Sequence, residues 1–157
     1  MLKISLIQVG KTTDSYINEG VSEYEKRLQH YCNYKTVTIP AIKQQQKNIL
    51  KQKEQEGILI LNHLEASDYC ILLDEAGKEY TSELFAKNIE QIQLKSIKHL
   101  VFVIGGPFGF DKKVYERANQ KMALSQMTFS HQMIRLLFTE QLYRAYTIIK
   151  GESYHHS

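Results

Sequence analysis

The residues Gly105-Gly106-Pro107-Phe108-Gly109 follow directly on Val101-Phe102-Val103-Ile104. Four large apolar residues in a row read as a buried strand, and the glycines let the backbone turn sharply or approach a ligand closely. In open α/β sheets the loop leaving the carboxyl end of a strand is where ligands bind, so this loop is a candidate site. It is not the dinucleotide fingerprint G-x-G-x-x-G, because Pro107 stands in the third place. Nor is it a P-loop, since no Gly-Lys-Ser/Thr follows. Taken alone it reads equally well as a tight connection.

A second stretch, Ala123-Leu124-Ser125-Gln126-Met127-Thr128-Phe129-Ser130-His131-Gln132, mixes apolar and small polar residues. Its apolar members can wall a pocket for a flat heteroaromatic ring, while Ser125, Gln126, Thr128 and the backbone recognise the polar edge. The competing reading is a strand end followed by a capped helix. His131 reads more readily as a loop-ordering residue than as an RNA contact. Arg135 and Arg144 offer cations for phosphates, yet either can instead pair with Glu140 or another carboxylate. The end of the chain, Tyr154-His155-His156, reads by itself as a frayed terminus.

Length and composition bound these options. A chain of 157 residues supports one domain with a real core, and 43% apolar with 24% charged residues is ordinary for a soluble protein. No apolar stretch is long enough to span a bilayer, and Met1-Leu2-Lys3-Ile4-Ser5-Leu6-Ile7 lacks the features of a secretion signal. Cys32 and Cys70 match no metal or redox spacing, which suggests reduced thiols in a cytoplasmic protein and no metal site. Acidic and basic residues balance over positions 1–110, so the net charge of +3 arises entirely after the glycine loop. A basic region beside a ligand loop fits a phosphate-bearing partner, though a few solvated lysines would give the same count.

The elements that must position these residues alternate between strand and helix. Strands are expected at 2–9, 34–39, 69–73, 100–104 and 122–124. Helices are expected at 14–30, at 43–64 with a thin apolar stripe, from Thr81 or Ser82 with Phe85, Ile89 and Ile92 inward, and at 111–118 behind an Asp111 cap. A last helix runs from a Ser130 cap to about Lys150 and closes at Gly151. Residues 74–78 read as a turn, 125–129 as a loop, and Gln44-Gln45-Gln46-Lys47 as a mobile entry. Such alternation indicates a single-domain α/β fold, with a parallel sheet covered by helices on both faces. The last helix is apolar nearly all round, from Met133 to Ile149. Its second apolar face is expected to meet a partner subunit in a homodimer rather than to be sandwiched within the monomer.

Several of these stretches together resemble the RlmH family of small SPOUT-class methyltransferases. They are Val101-Phe102-Val103-Ile104-Gly105-Gly106 with Gly109, then Leu124-Ser125 with Met127-Thr128-Phe129 and His131-Gln132. Glu140-Gln141-Leu142-Tyr143-Arg144-Ala145 and Lys150-Gly151-Glu152-Ser153-Tyr154-His155 complete the carboxyl-terminal set. Val9-Gly10-Lys11, Glu23-Tyr24-Glu25-Lys26-Arg27-Leu28 and Lys53-Glu54-Gln55-Glu56-Gly57 extend the likeness over essentially the whole chain. Pro107-Phe108 departs from the small polar residues that other members often carry there.

The resemblance implies one domain over 1–157 with a trefoil knot at about 100–157, an exception to the rule against knots. It implies S-adenosylmethionine as cofactor, bound by Leu73, Gly105, Leu124, Ser125, Gln126, Met127, Thr128 and Phe129. It implies a homodimer that methylates N3 of a pseudouridine in 23S ribosomal RNA, acting on the assembled ribosome, with one subunit's tail near the other's pocket. On that likeness His155 becomes a natural general base and Tyr154 a residue that stacks on or orients the target base. His131, Arg135 and Arg144 become candidate RNA contacts. Two other classes stay open: a SPOUT-class transfer RNA methyltransferase, and a non-catalytic ribosome-binding or assembly module.

Overall fold

The computed structural model describes residues 1–42 and 48–156. The strands are β1 (Lys3–Val9), β2 (Asn33–Ile39), β3 (Tyr69–Glu79), β4 (His99–Ile104) and β5 (Gln120–Ala123). The helices are α1 (Ser15–Leu28), α2 (Ile49–Asn62), α3 (Ser82–Leu94), α4 (Lys112–Arg117) and α5 (Met133–Ile149). The five strands form one sheet in the order β2-β1-β4-β3-β5, and every pairing is parallel. The expected start of the second helix at Lys43, and the mobile entry at Gln44 to Lys47, lie outside the described residues.

Successive side chains of a strand point to opposite faces, and here both faces are buried. Ile4, Leu6, Ile71, Leu100 and Phe102 join the core beneath α1, α3 and α5. Ile7, Val9, Cys70, Leu72, Val101 and Val103 join the core beneath α2 and α4. That is why these strands read as continuous apolar runs rather than as alternating ones. At the amino-terminal edge of the sheet, His99 bridges Asp68 Oδ1 at 3.0 Å and Ser5 Oγ at 2.8 Å. Ser5 is buried, so this chain of contacts ties β1, β3 and β4 together.

The structure corrects one local expectation. Residues 74–78 do not end the third strand. Leu73 and Lys78 both face Met122 of β5, so the strand bulges outward and then resumes pairing as far as Glu79. Gly77 permits this, because a Cβ there would lie 2.5 Å from the backbone nitrogen of Met122. The turn-forming residues are real, but they build a bulge.

Helix α5 makes many of its contacts within the chain. It lies between α1 and α3, and its flanks are met inside the chain: Leu136 packs on Gly20, and Ser82 Oγ donates to Gln141 at 2.8 Å. None of its large apolar side chains is among the exposed ones. Neighbours far away in sequence thus cover part of the helix, while Ile134, Leu136, Leu137, Tyr143, Ile148 and Ile149 remain half-buried in the single chain.

Helix ends follow local rules. Thr81 Oγ1 accepts from Leu84 N at 3.1 Å, and Asp111 Oδ2 from Lys113 N at 3.2 Å. Ser130 Oγ accepts from Met133 N at 3.1 Å and leads the chain into α5. Gly151, at φ 68°, closes that helix, with Glu152 N donating to Thr147 O at 2.9 Å.

Candidate active site

The carboxyl edge of the sheet opens into a cleft of about 560 Å³. One wall is the glycine loop after β4, and the other is the chain leaving β5 towards α5. The floor comes from Leu73, Ile104 and Met122 at the strand ends. The loop is a tight hairpin in which Gly109 N donates to Gly106 O at 3.3 Å, with Gly109 at φ 82°. Gly105 is required for a different reason. A Cβ there would sit 2.9 Å from the ring of Phe110, which is itself buried and packed edge-on against Tyr115.

Leu73, Gly105, Leu124, Ser125, Met127, Thr128 and Phe129 all line this cleft, as does His131 at its rim. Gln126 is exposed and does not line it. Ser125 Oγ accepts from Met127 N at 3.0 Å and sets the bend of the second wall. Met127 and Phe129 are exposed at 75% and 39%, so their apolar surfaces are available to a ligand.

The bulge in β3 brings Asp74 and Glu75 to the cleft, where the sequence reading placed only a turn. Asp74 Oδ1 accepts from Ala76 N at 2.8 Å, and Tyr115 OH donates to Asp74 Oδ2. Burial, then the bond to Asp74, pushes the Tyr115 hydroxyl up to about 12, so it stays a donor at neutral pH. No lysine or arginine lines the cleft among the described residues. Exposed glycine backbone, two apolar side chains and two carboxylates suit a ligand with a flat apolar body and positive charge.

The three basic residues proposed for RNA separate in the structure. Arg135 is 1% exposed, and its guanidinium is bound within the chain. Nε donates to His131 O at 3.1 Å, Nη1 to Thr12 Oγ1 at 2.9 Å and Nη2 to Val9 O at 2.9 Å. It braces the start of α5 against the end of β1 and is not presented to a phosphate. Gln132 adds to the brace, accepting from Thr13 N at 2.8 Å and donating to Lys11 O at 3.1 Å.

Arg144 belongs to a cluster that holds the tail. Its Nε donates to Glu140 Oε1 at 3.0 Å, and this bond raises the guanidinium further above its ordinary range. Nη1 donates to His155 Nδ1 at 3.0 Å, and the guanidinium lies 4.8 Å from the Tyr154 ring centre. His155 Nε2 is 2.8 Å from Glu83 Oε1. An arginine can only donate, so Nδ1 carries the lone pair and Nε2 the proton given to Glu83. Tyr154 OH donates to Glu140 Oε1 at 3.0 Å and so accepts from Tyr24 OH at 3.1 Å. Burial is the main cause that raises the Tyr154 hydroxyl, followed by these bonds.

The tail is thus docked rather than frayed, but Tyr154 and His155 do not line the cleft of their own chain. Sequence reasoning passed over Asp74, Glu75, Tyr115 and Glu83. Only the Glu140/Arg144 spacing of four residues on a helix carried a local signal for the cluster.

The family described as "Predicted SPOUT methyltransferase" matches residues 2–155. A protein of Parabacteroides distasonis is 52% identical over 157 residues, covering 99% of each chain. One of Cytophaga hutchinsonii is 50% identical over 99% of this chain and 100% of its own. One of Flavobacterium johnsoniae is 47% identical over 99% of each. All three are named "Ribosomal RNA large subunit methyltransferase H". With its parallel sheet, its cleft at the carboxyl edge and this match over nearly its full length, the chain belongs to the SPOUT methyltransferase family.

Proposed function

We infer that this protein transfers a methyl group from S-adenosylmethionine to N3 of a pseudouridine in large-subunit ribosomal RNA. The observation that carries the cofactor is the cleft, with bare glycine backbone on one wall and Asp74 and Glu75 facing a space that no described lysine or arginine lines. A cationic cofactor with a flat adenine fits that lining. The relatives named for large-subunit ribosomal RNA support the substrate. A ribosomal substrate places the reaction in the cytoplasm.

When bound, S-adenosylmethionine supplies an electrophilic methyl on a sulfonium, and its sulfur becomes neutral on transfer. The chain's own task is then to hold the acceptor nitrogen in line and to remove its proton. His155 is the candidate base: its lone-pair nitrogen Nδ1, which accepts from Arg144 at 3.0 Å, takes the proton as Arg144 turns from it to the pyrimidine carbonyl. Glu83 holds the opposite N–H and fixes that tautomer. Arg144, kept charged by Glu140, stabilises the pyrimidine anion that forms as the proton leaves. Tyr154, a phenol at neutral pH, orients the base. Because the tail lies outside its own cleft, a homodimer in which each subunit's tail serves the other's cleft completes the site. Trefoil threading of residues 100–157 belongs to the same reading.

The deciding experiment supplies tritiated S-adenosylmethionine with ribosomes from a strain lacking the activity, or with transfer RNA, and maps the labelled nucleotide. Label on a pseudouridine of the large subunit supports the reading. Label on transfer RNA would reassign the substrate. Tight cofactor binding with no transfer to either would leave a ribosome-binding module.

A further inference from the structure

Glu56 of α2 is a buried acid, 5% exposed, that the chemistry above does not use. It is not among the residues lining the cleft, yet it lies directly against the loop that forms one wall. A Cβ on Gly106 would be 2.5 Å from Glu56 Oε1 and 3.0 Å from Oε2. Gly106 does not have a positive φ, so no left-handed backbone reserves the position for glycine. What a side chain here would meet first is the Glu56 carboxyl group, which would have to move to admit it. The carboxyl is not free to swing away, since it is buried and its Oε2 accepts from Gln52 Nε2 at 3.1 Å.

The next residue, Gly57, repeats the pattern one step along the same helix. A Cβ there would be 3.1 Å from Asp111 Cβ and 3.3 Å from Val114 Cγ2. Two consecutive residues of α2 therefore press on both ends of one segment, Glu56 at the glycine loop and Gly57 at the cap and first turn of α4.

We propose that Glu56 is a positioning residue for the reaction: its buried carboxyl group braces Gly106 and so holds the glycine loop in the shape that receives the cofactor. The proposal rests on reading the cleft as the S-adenosylmethionine site. It acts through the loop and involves no contact with the reacting atoms. It makes α2 a part of the cofactor site, although no residue of that helix lines the cleft.

A double-mutant cycle on the full-length protein tests it, with dissociation constants for S-adenosylmethionine measured by calorimetry and folding checked by thermal melting. Glu56→Ala is expected to weaken binding about tenfold, and Gly106→Ala by about the same factor. In the Glu56→Ala background the added Gly106→Ala is expected to cost less than about twofold, because the clash is gone. Glu56→Gln, which keeps the shape and the bond to Gln52, is expected to stay within about threefold of wild type. Hydrogen exchange gives the second readout: in Glu56→Ala, without cofactor, the amides of residues 105, 106, 108 and 109 should exchange faster.

A Gly106→Ala penalty that is the same with Glu56 or Ala at position 56 overturns the proposal. So does a Glu56→Ala protein that melts earlier but binds and exchanges as wild type does. If Gly106→Ala does not fold, Glu56→Ala and Glu56→Gln decide alone, by affinity and by exchange. If the wild-type protein binds no cofactor, the cleft reading fails, and loop exchange in Glu56→Ala still decides the brace.

Discussion

His155 and Glu83 lie 72 residues apart in sequence, yet Nε2 of one donates to Oε1 of the other at 2.8 Å. The contact holds the carboxyl-terminal tail on α3 and leaves Nδ1 as the lone-pair nitrogen, which accepts from Arg144 at 3.0 Å. The bond to His155 is the first cause that lowers the Glu83 carboxyl from its ordinary value of 4.5. A lowered acid contributes above its unfolded value and loses that contribution as pH falls through the folded value. Docking of the tail should therefore weaken below about pH 4.5, readable as a shift of the His155 ring resonances.

Replacing His155 with Ala should lower turnover by about 10²–10⁴-fold and leave cofactor affinity unchanged, as expected for loss of a general base. Glu83→Gln should lower turnover less, because the imidazole keeps a hydrogen-bond partner. Mixing His155→Ala protein with Gly105→Val protein should restore part of the activity if each cleft uses the other subunit's tail. No recovery from mixed dimers, with both variants folded and exchanging, would place the tail and cleft of one chain together or remove the tail from the chemistry.

Gly105→Val should abolish the rise in melting temperature that S-adenosylmethionine produces in the wild-type protein. The cause lies inside the loop: the first carbon of the new side chain would meet the Phe110 ring at 2.9 Å. Phe110 and Tyr115 pack edge-on, so displacement of Phe110 is passed on to the Asp74 side of the cleft. An undiminished rise in a folded variant would show that the loop does not shape the pocket.

Burial pushes the Cys32 thiol up to about 12 and the Cys70 thiol up to about 11, from an ordinary 9.0. At pH 8 neither should react with a thiol reagent on the timescale of a free cysteine, and both should react once urea unfolds the chain. Because the folded state holds these protons longer, stability is intact below pH 9 and declines as pH rises towards 11–12. Urea midpoints at pH 7 and pH 10 measure the decline. Fast labelling of the native protein would contradict the burial of these residues.

Arg135→Met should destabilise the fold by about 2–4 kcal/mol, since it strips hydrogen bonds from the carbonyls of Val9 and His131 and from Thr12 Oγ1. Urea denaturation gives the value. The salt dependence of ribosome binding should be unchanged in this variant, whereas loss of a phosphate contact would reduce its slope.

The order of strands and helices was legible in the chain, because each signal was local. Apolar runs, helical spacing, the caps at Thr81 and Asp111 and the glycine stop at Gly151 all act within a few residues. The glycine loop and residues 124–129 were legible as candidate segments for the same reason, and all of them except Gln126 line the cleft. Residues 74–78 also gave a true local signal. Whether it made a reversal or a bulge depended on Met122 being there to resume the pairing.

What only the tertiary structure decided are the meetings set by the strand order β2-β1-β4-β3-β5 and by the helices laid across it. That order brings Asp74 and Glu75 to the cleft, closes Arg135 behind the end of β1 and seats the tail between α3 and α5. It also places Glu56 where a side chain of Gly106 would be. No spacing along the chain encodes such contacts. Each arises from burying two apolar faces of one sheet at once, and the charged residues take the positions that this packing leaves them.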